Sequence, residues 1–308
     1  MIKSNDIYSN ITQKIINDLE KGELTWRKPW NAGNLANNVM RPLRWNDIPY
    51  TGINIIMLWA AAADKGYQSP YWMTFKQAAD MKAHVRKGET GTQVVYADTF
   101  SIEEKEVDGK ISTQQIPFLK MYTVFNVGQI EGLPPAYYEI SKPRIENQEK
   151  RIEDIEQFFE QTKAKIKSGF KASYTLSTDI IEMPPFECFI SAESYYTTLA
   201  HEVTHWTRHP TRLNRDFNRK KWGDEGYAKE ELVAELGACF LGADLGFEPV
   251  TKEGHAAYIQ SWLSVLKNDK RFIFQAASFA QKAVEYMTTI QPLKNTLEKK
   301  LIPSPTGG

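Results

Sequence analysis

The sequence predicts an α+β protein of two domains. A mixed α/β domain is expected over residues 1–140, and a mainly helical domain with a small sheet over 152–302. Three observations carry this expectation. The chain has 308 residues, about two ordinary domains. Apolar residues make up 42%, enough for a sizeable core. Short strand-like runs set off by Gly and Pro recur before residue 140, and helical patterns fill most of the chain beyond it.

Each element has its own signal. Ile7, Ile11, Ile15 or Ile16, and Leu19 recur at helical spacing, and Lys21-Gly22 makes a turn. Residues 31–38 read as loop. Thr51 is the expected N-cap of an apolar helix that runs through Ile55, Leu58 and Trp59 and ends at Lys65-Gly66. Tyr71 to Phe75 reads as strand and Lys76 to Ala83 as a short helix. Thr92 to Tyr96 and Phe118 to Val127 read as strands, with a charged hairpin tip around Asp108-Gly109. Polar residues 141–151, with Pro143, read as the interdomain linker. Helix is expected over 152–166, strand over 174–181 and 186–190, and helix over 255–287. The tail, 303–308, is expected to be disordered.

Composition excludes some classes. Lys and Arg total 38, as do Asp and Glu, so global charge selects no partner. The two cysteines, Cys188 and Cys239, sit in apolar surroundings and read as small core residues. That excludes a disulfide framework and suits a reducing cytoplasm. Met1 to Asn10 lacks an apolar signal core, and the most apolar run near the start, Ile53 to Ala63, is too short to span a membrane. The expectation is a soluble cytoplasmic protein with no membrane partner.

His201-Glu202-Val203-Thr204-His205 carries the strongest chemistry. On a helix, residues four apart share a face, so His201 and His205 reach one metal ion. Glu202 is then the general base for a water activated by that metal. Pro210 fits the helix stop. A catalytic zinc usually takes three protein ligands. The third is expected from Lys229 to Gly237, where Glu231 and Glu235 share a helix face. Glu231 is assigned to the metal. Glu235 is assigned to the free imidazole N–H of a ligand histidine. The converse assignment stays open. An H-E-x-x-H pattern also arises by chance in long helices, and the second glutamate-bearing helix is what favours a metal site. Zinc is the default cofactor, as one divalent ion, with other divalent ions able to replace it.

A second theme is basic and aromatic. Trp26-Arg27-Lys28-Pro29-Trp30 sets two indoles around two cations, and Arg44-Trp45 repeats the pattern. Rings that stack on unpaired bases and cations that meet phosphates are how single-stranded nucleic acid is held. Core tryptophans beside surface charges would give the same pattern, and the Trp26 segment by itself favours that. Basic residues outnumber acidic ones between Lys21 and Tyr96, which supports a DNA surface. The pool of expected DNA contacts is Trp26, Arg27, Lys28, Trp30, Arg44, Trp45, Trp72, Lys76, Arg86 and Lys87. The run Arg208, Arg212, Arg215, Arg219, Lys220 and Lys221 reads as a solvated face, or as an extension of a nucleic-acid path.

Several segments together resemble one family. They are Pro49-Tyr50-Thr51-Gly52-Ile53-Asn54, Tyr71-Trp72-Met73-Thr74-Phe75-Lys76-Gln77-Ala78, Val85-Arg86-Lys87-Gly88-Glu89 and the stretch from Val124 to Pro134. Leu199 to Thr207 and Tyr227 to Gly237 complete the set. The chain resembles the ArdC-type antirestriction family and the related N-terminal part of plasmid-borne TraC primases. Val203 stands where related sequences often carry another apolar residue, which leaves the metal motif intact. The resemblance implies an N-terminal single-stranded-DNA-binding domain and a C-terminal zincin-like metallopeptidase domain. It also implies protection of incoming conjugative plasmid DNA from host restriction, with a protein substrate or a host restriction enzyme as further partner.

Three functions compete. One is a DNA-binding antirestriction protein with a metal-dependent peptidase site. The alternative is a non-catalytic DNA-binding decoy with a vestigial or structural zinc site. Glu202 argues for the first, because a structural site needs no general base. A structural zinc is also usually closed by four protein ligands, often cysteines. The third, a metal-dependent nuclease, fits poorly, because such sites commonly pair two metals among many carboxylates.

Overall fold

A computed structural model describes residues 4–28, 39–105, 111–138, 148–218, 221, 223–250 and 255–292. Helix α1 (Ser4–Glu20) buries Ile7, Ile11, Ile15, Ile16 and Leu19, the expected stripe. That stripe faces the far end of the chain. Thr12 Oγ1 donates to the Lys270 carbonyl, and the helix lies on α7 (His255–Asn268). Thr25-Trp26-Arg27 then forms one buried 3-10 turn.

The first half is built on a four-stranded sheet of order β1-β2-β5-β4. Strands β1 (Leu43–Arg44) and β2 (Tyr71–Met73) are parallel, and β5 (Ile111–Asn126) runs antiparallel to both β2 and β4 (Thr92–Lys105). Helix α2 (Ile53–Lys65) covers the sheet. Its Asn54 clasps the backbone of Val95, donating to the carbonyl at 2.8 Å and accepting from the N–H at 2.9 Å. The α2 N-cap is Gly52, at φ 59°, and not Thr51; the positive φ there favours glycine. The stop at Gly66 is as expected, with φ 72°.

The boundary between the next strand and helix shifts as well. Thr74 and Gln77 form a capping box: Thr74 Oγ1 accepts from the Gln77 N–H and Gln77 Oε1 from the Thr74 N–H. Phe75 is therefore the first residue of helix α3 (Phe75–Asp80) and not the end of a strand. A small pair, β3 (His84–Val85) with β6 (Ile130–Glu131), closes this part. The expected hairpin tip at Asp108-Gly109 lies outside the described residues, while its arms pair from Thr92↔Val124 to Lys105↔Ile111.

In the second half, α4 (Gln148–Gln161) begins within the expected linker. It ends five residues earlier than expected, because Lys163 takes φ 59° and turns the chain into β7 (Lys165–Ser168). Strands β7, β8 (Ser173–Thr175) and β9 (Ile180–Met183) form a sheet of order β7-β9-β8. The expected strand at 186–190 is instead a 3-10 turn, Phe186–Cys188, set by Pro185 before it. Helices α5 (Ala192–Trp206), α6 (Glu225–Leu245) and α8 (Phe272–Thr289) pack together, with α6 buried on nearly every side. Cys239 is buried as expected, but Cys188 is exposed.

The main core runs through both halves, joining Ile7, Leu19, Trp26, Ile56 and Trp59 to Leu199, Leu236, Phe240, Trp262 and Phe272. Among the described residues, no helix is long and apolar enough to cross a membrane.

Candidate metal centre

Helix α5 starts where the Ser191 side chain accepts from the Ser194 N–H, and one of its faces carries Tyr196, Leu199, Ala200 and Val203 into the core. His201 and His205 sit one turn apart on the same helix. Helix α6 starts at Asp224, whose side chain accepts from the Tyr227 N–H at 2.8 Å. It crosses α5 closely because Gly237 has no Cβ; one there would lie 2.6 Å from the Thr204 side chain. Thr204 immediately precedes His205, and this close approach brings Glu231 to the histidines.

The three donors converge. His201 Nε2 lies 3.3 Å from Glu231 Oε2, and His205 Nε2 lies 3.3 Å from Glu231 Oε1. The two Nε2 atoms are 3.1 Å apart. Four tetrahedral ligands at zinc-like distances sit about 3.3 Å from one another, so the donor set fits one divalent ion. Among the described residues, His201, His205 and Glu231 are the metal-capable cluster, and all three are buried. Glu202 follows His201 on the same helix and is 5% exposed. Burial raises the pKa of the Tyr258 hydroxyl, and the negative charges of Glu231, Glu202 and Glu235 add to that shift.

One assignment is corrected. The histidine partner is Glu230, not Glu235. His205 Nδ1 lies 3.0 Å from Glu230 Oε1, and Arg215 donates to the same carboxylate through Nε at 2.8 Å and Nη2 at 2.7 Å. Burial alone would raise Glu230, but Arg215 outweighs it and holds the carboxyl down at about 2. An ionised Glu230 only accepts, so Nδ1 carries the hydrogen and Nε2, which faces Glu231, is the nitrogen that would ligate an ion in place of its proton. Burial would lower His205, yet Glu231 and Glu230 push it up to about 9. The same field favours a divalent cation. Glu235 instead accepts from Arg27 Nε at 2.7 Å.

Arg215 corrects the expected solvated face as well. It is buried, and its Nη2 also donates to the Thr204 carbonyl at the α5 C-terminus, where the helix dipole favours a cation. Arg212 lies 3.9 Å over the Trp206 ring and is paired with Asp179. Arg208 is buried too. A break after the metal helix, with an arginine about ten residues on, was the available signal. A run of like charges hid it.

The expected DNA contacts divide. Trp26 is 0% exposed, and Arg27 and Trp72 are also buried, so these three belong to the core and not to a surface. Lys28 is held by Asp18 at 3.1 Å and Asp64 at 3.5 Å. Trp30 lies outside the described residues. Arg44, Lys76, Arg86 and Lys87 are exposed, with Arg86 paired to Glu89, and Trp45 is 40% exposed. Phe75, beside Lys76, is 61% exposed and was not among the expected contacts. Reading it as a strand residue concealed it.

A mixed α/β first half joined to helices that bring H-E-x-x-H against a glutamate from a second helix defines a zincin-like metal-site protein. Comparison with known proteins makes this specific. Residues 153–279 match the zincin-like metallopeptidase family, and residues 5–125 match the N-terminal domain of anti-restriction factor ArdC. The metal-free crystal structure of the antirestriction ArdC protein from plasmid R388 is 44% identical, with a TM-score of 0.76. The match covers 93% of this chain and 98% of that one. The Mn(II)-bound structure of that protein matches at 42% identity and the same TM-score. Protein y4eC of Sinorhizobium fredii, which is uncharacterised, is 36% identical over 92% of this chain and 91% of its own. The DNA primase TraC of Escherichia coli is 36% identical over 92% of this chain, which spans only 27% of that protein. The chain belongs to the ArdC family of antirestriction proteins.

Proposed function

We propose that this chain protects incoming conjugative plasmid DNA from host restriction by binding single strands and hydrolysing a protein. The observation that carries the hydrolytic part is the convergence of His201, His205 and Glu231 beside a buried Glu202. A divalent ion held there, zinc by default, supplies a water of lowered pKa and polarises a carbonyl. His201, His205 and Glu231 hold the ion, and Glu230 with Arg215 keeps His205 in the correct tautomer. Glu202 takes the proton from the attacking water and hands it to the leaving amine. The partners are single-stranded DNA and a protein substrate, of which a host restriction enzyme is one kind.

For DNA, the candidate contacts are the exposed rings Trp45 and Phe75 and the exposed cations Arg44, Lys76, Arg86 and Lys87. Unpaired bases offer faces to exposed rings, each worth about 1–3 kcal/mol, and cations track the phosphates.

The test is Glu202→Ala in the full chain, assayed for metal content, single-strand binding and protection of a conjugated plasmid in a restricting host. Metal and DNA binding are expected to survive while protection is lost. Full protection by this variant overturns the hydrolytic mechanism and leaves DNA binding as the whole activity.

A further inference from the structure

Helix α6 carries Tyr227, Glu231 and Glu235 at four-residue intervals, so the three side chains form one row. The middle one reaches the histidines, and contacts from other elements hold its two neighbours. Glu235 accepts from Arg27 Nε at 2.7 Å and from Trp26 Nε1 at 3.4 Å. Arg27 Nη1 donates onward to the Pro249 carbonyl at 3.0 Å. At the other end, the Tyr227 hydroxyl is within hydrogen-bonding reach of Glu231 and lies 3.1 Å from the Tyr258 hydroxyl on α7. Tyr258 stacks on Trp262, their centroids 5.8 Å apart at 25°. Trp262 in turn meets Trp26 edge-on at 5.6 Å. From Glu231 through Tyr227, Tyr258, Trp262 and Trp26 to Glu235, the contacts close a ring around the ligand's own turn of helix.

We infer that Trp26 and Arg27, from the N-terminal half, are positioning residues of the metal centre, acting with Tyr258 and Trp262 to aim Glu231 at the two histidines. The inference rests on reading His201, His205 and Glu231 as the metal site. A ligating carboxylate is oriented by the groups that hydrogen-bond it and by the helix that carries it. Arg27 and Glu235 are both buried, and either charge left alone there is costly, so the pair holds the register of α6 tightly. Trp26 and Trp262 are almost wholly buried and lack room to turn. The pair that resembles a nucleic-acid motif in sequence is thus used inward, and the metal centre belongs to both halves of the chain.

The experiment uses the full-length chain with Mn2+ as probe, followed by calorimetry and by the electron paramagnetic resonance of the bound ion. Thermal unfolding of the metal-free protein is measured alongside. Arg27→Met and Tyr258→Phe are expected to raise the Kd for Mn2+ about tenfold, the lower end for residues behind a ligand, and to alter the spectrum. Arg27→Lys keeps the charge but not the fork, and is expected to fall between wild type and Arg27→Met. Tyr258→Phe keeps the ring stack, so it remains informative if Arg27→Met misfolds. A lower melting temperature with unchanged Kd and spectrum in Tyr258→Phe and Arg27→Lys overturns the inference, because packing alone would then explain the contacts. Binding that His205→Ala abolishes but these variants leave intact overturns the inference and spares the site. A wild type that titrates like His205→Ala sinks both.

Discussion

At the residue scale, the pivotal group is Glu230, which serves His205 and Arg215 at once. Glu230→Gln removes the charge that both depend on. Leaving Arg215 buried and unmatched is expected to cost about 3 kcal/mol in urea unfolding, and metal affinity is expected to fall about 10–100-fold. Unchanged stability would mean that Arg215 finds another partner. A second residue-scale expectation concerns acid. Hydrogen bonding to Arg212, working against burial, holds Asp179 below the usual carboxylate range. A depressed folded pKa contributes stability that is fully present above the unfolded value, about 3.9, and is lost as pH falls below it. Asp179→Asn should therefore flatten the fall in stability below about pH 4. Melting temperatures of both proteins across that range provide the check, and parallel curves would remove Asp179 from the account.

At the scale of elements, the α5–α6 crossing decides whether a metal site exists. Gly237 faces the Thr204 side chain, and an added Cβ would lie 2.6 Å from it. Gly237→Ala must push the helices apart, at a cost of about 1–3 kcal/mol. The same shift separates Glu231 from His205, so metal affinity should fall with stability. Thr204→Ser in the Gly237→Ala background removes one of the crowding atoms and should restore part of both. Thermal unfolding and Mn2+ titration of the single and double variants test this; a single variant with wild-type affinity would show that the crossing tolerates the strain.

At the scale of the whole molecule, the two sequence families meet in one core. Helix α1 buries its isoleucines against the C-terminal helices, and Trp26 sits between Glu235 and Trp262. A fragment of residues 1–140 would expose Ile7, Ile11, Ile15, Ile16, Leu19 and Trp26. It is expected to be proteolysed far faster than the full chain, and a protease-resistant fragment would contradict the shared core. DNA binding is therefore best assayed on the full chain. Trp45→Ala and Phe75→Ala should each weaken single-strand binding by about 1–3 kcal/mol with little loss of stability. Trp72→Ala should instead destabilise the fold by about 3–5 kcal/mol. Oligonucleotide titrations at several salt concentrations, with melting curves, separate the two effects.

The sequence by itself determined what depends on neighbours along the chain. The i, i+4 spacing of His201 and His205, the α1 stripe and the Gly66 stop are all local, and helical geometry turns them directly into structure. Glu231 was legible too, because four-residue spacing shows which residues of a helix share a face. What spacing does not contain is which way that face points. Glu230 or Glu235 behind a histidine, Arg215 inside or outside, and Trp26 as a base platform or as a core ring are all settled by elements distant in sequence. Arg27 lies 208 positions from Glu235, and Thr12 lies 258 from Lys270. Local pattern sets the shape of each helix and strand. Only tertiary packing decides which buried charge meets which partner, because desolvation penalises every arrangement that leaves one unpaired.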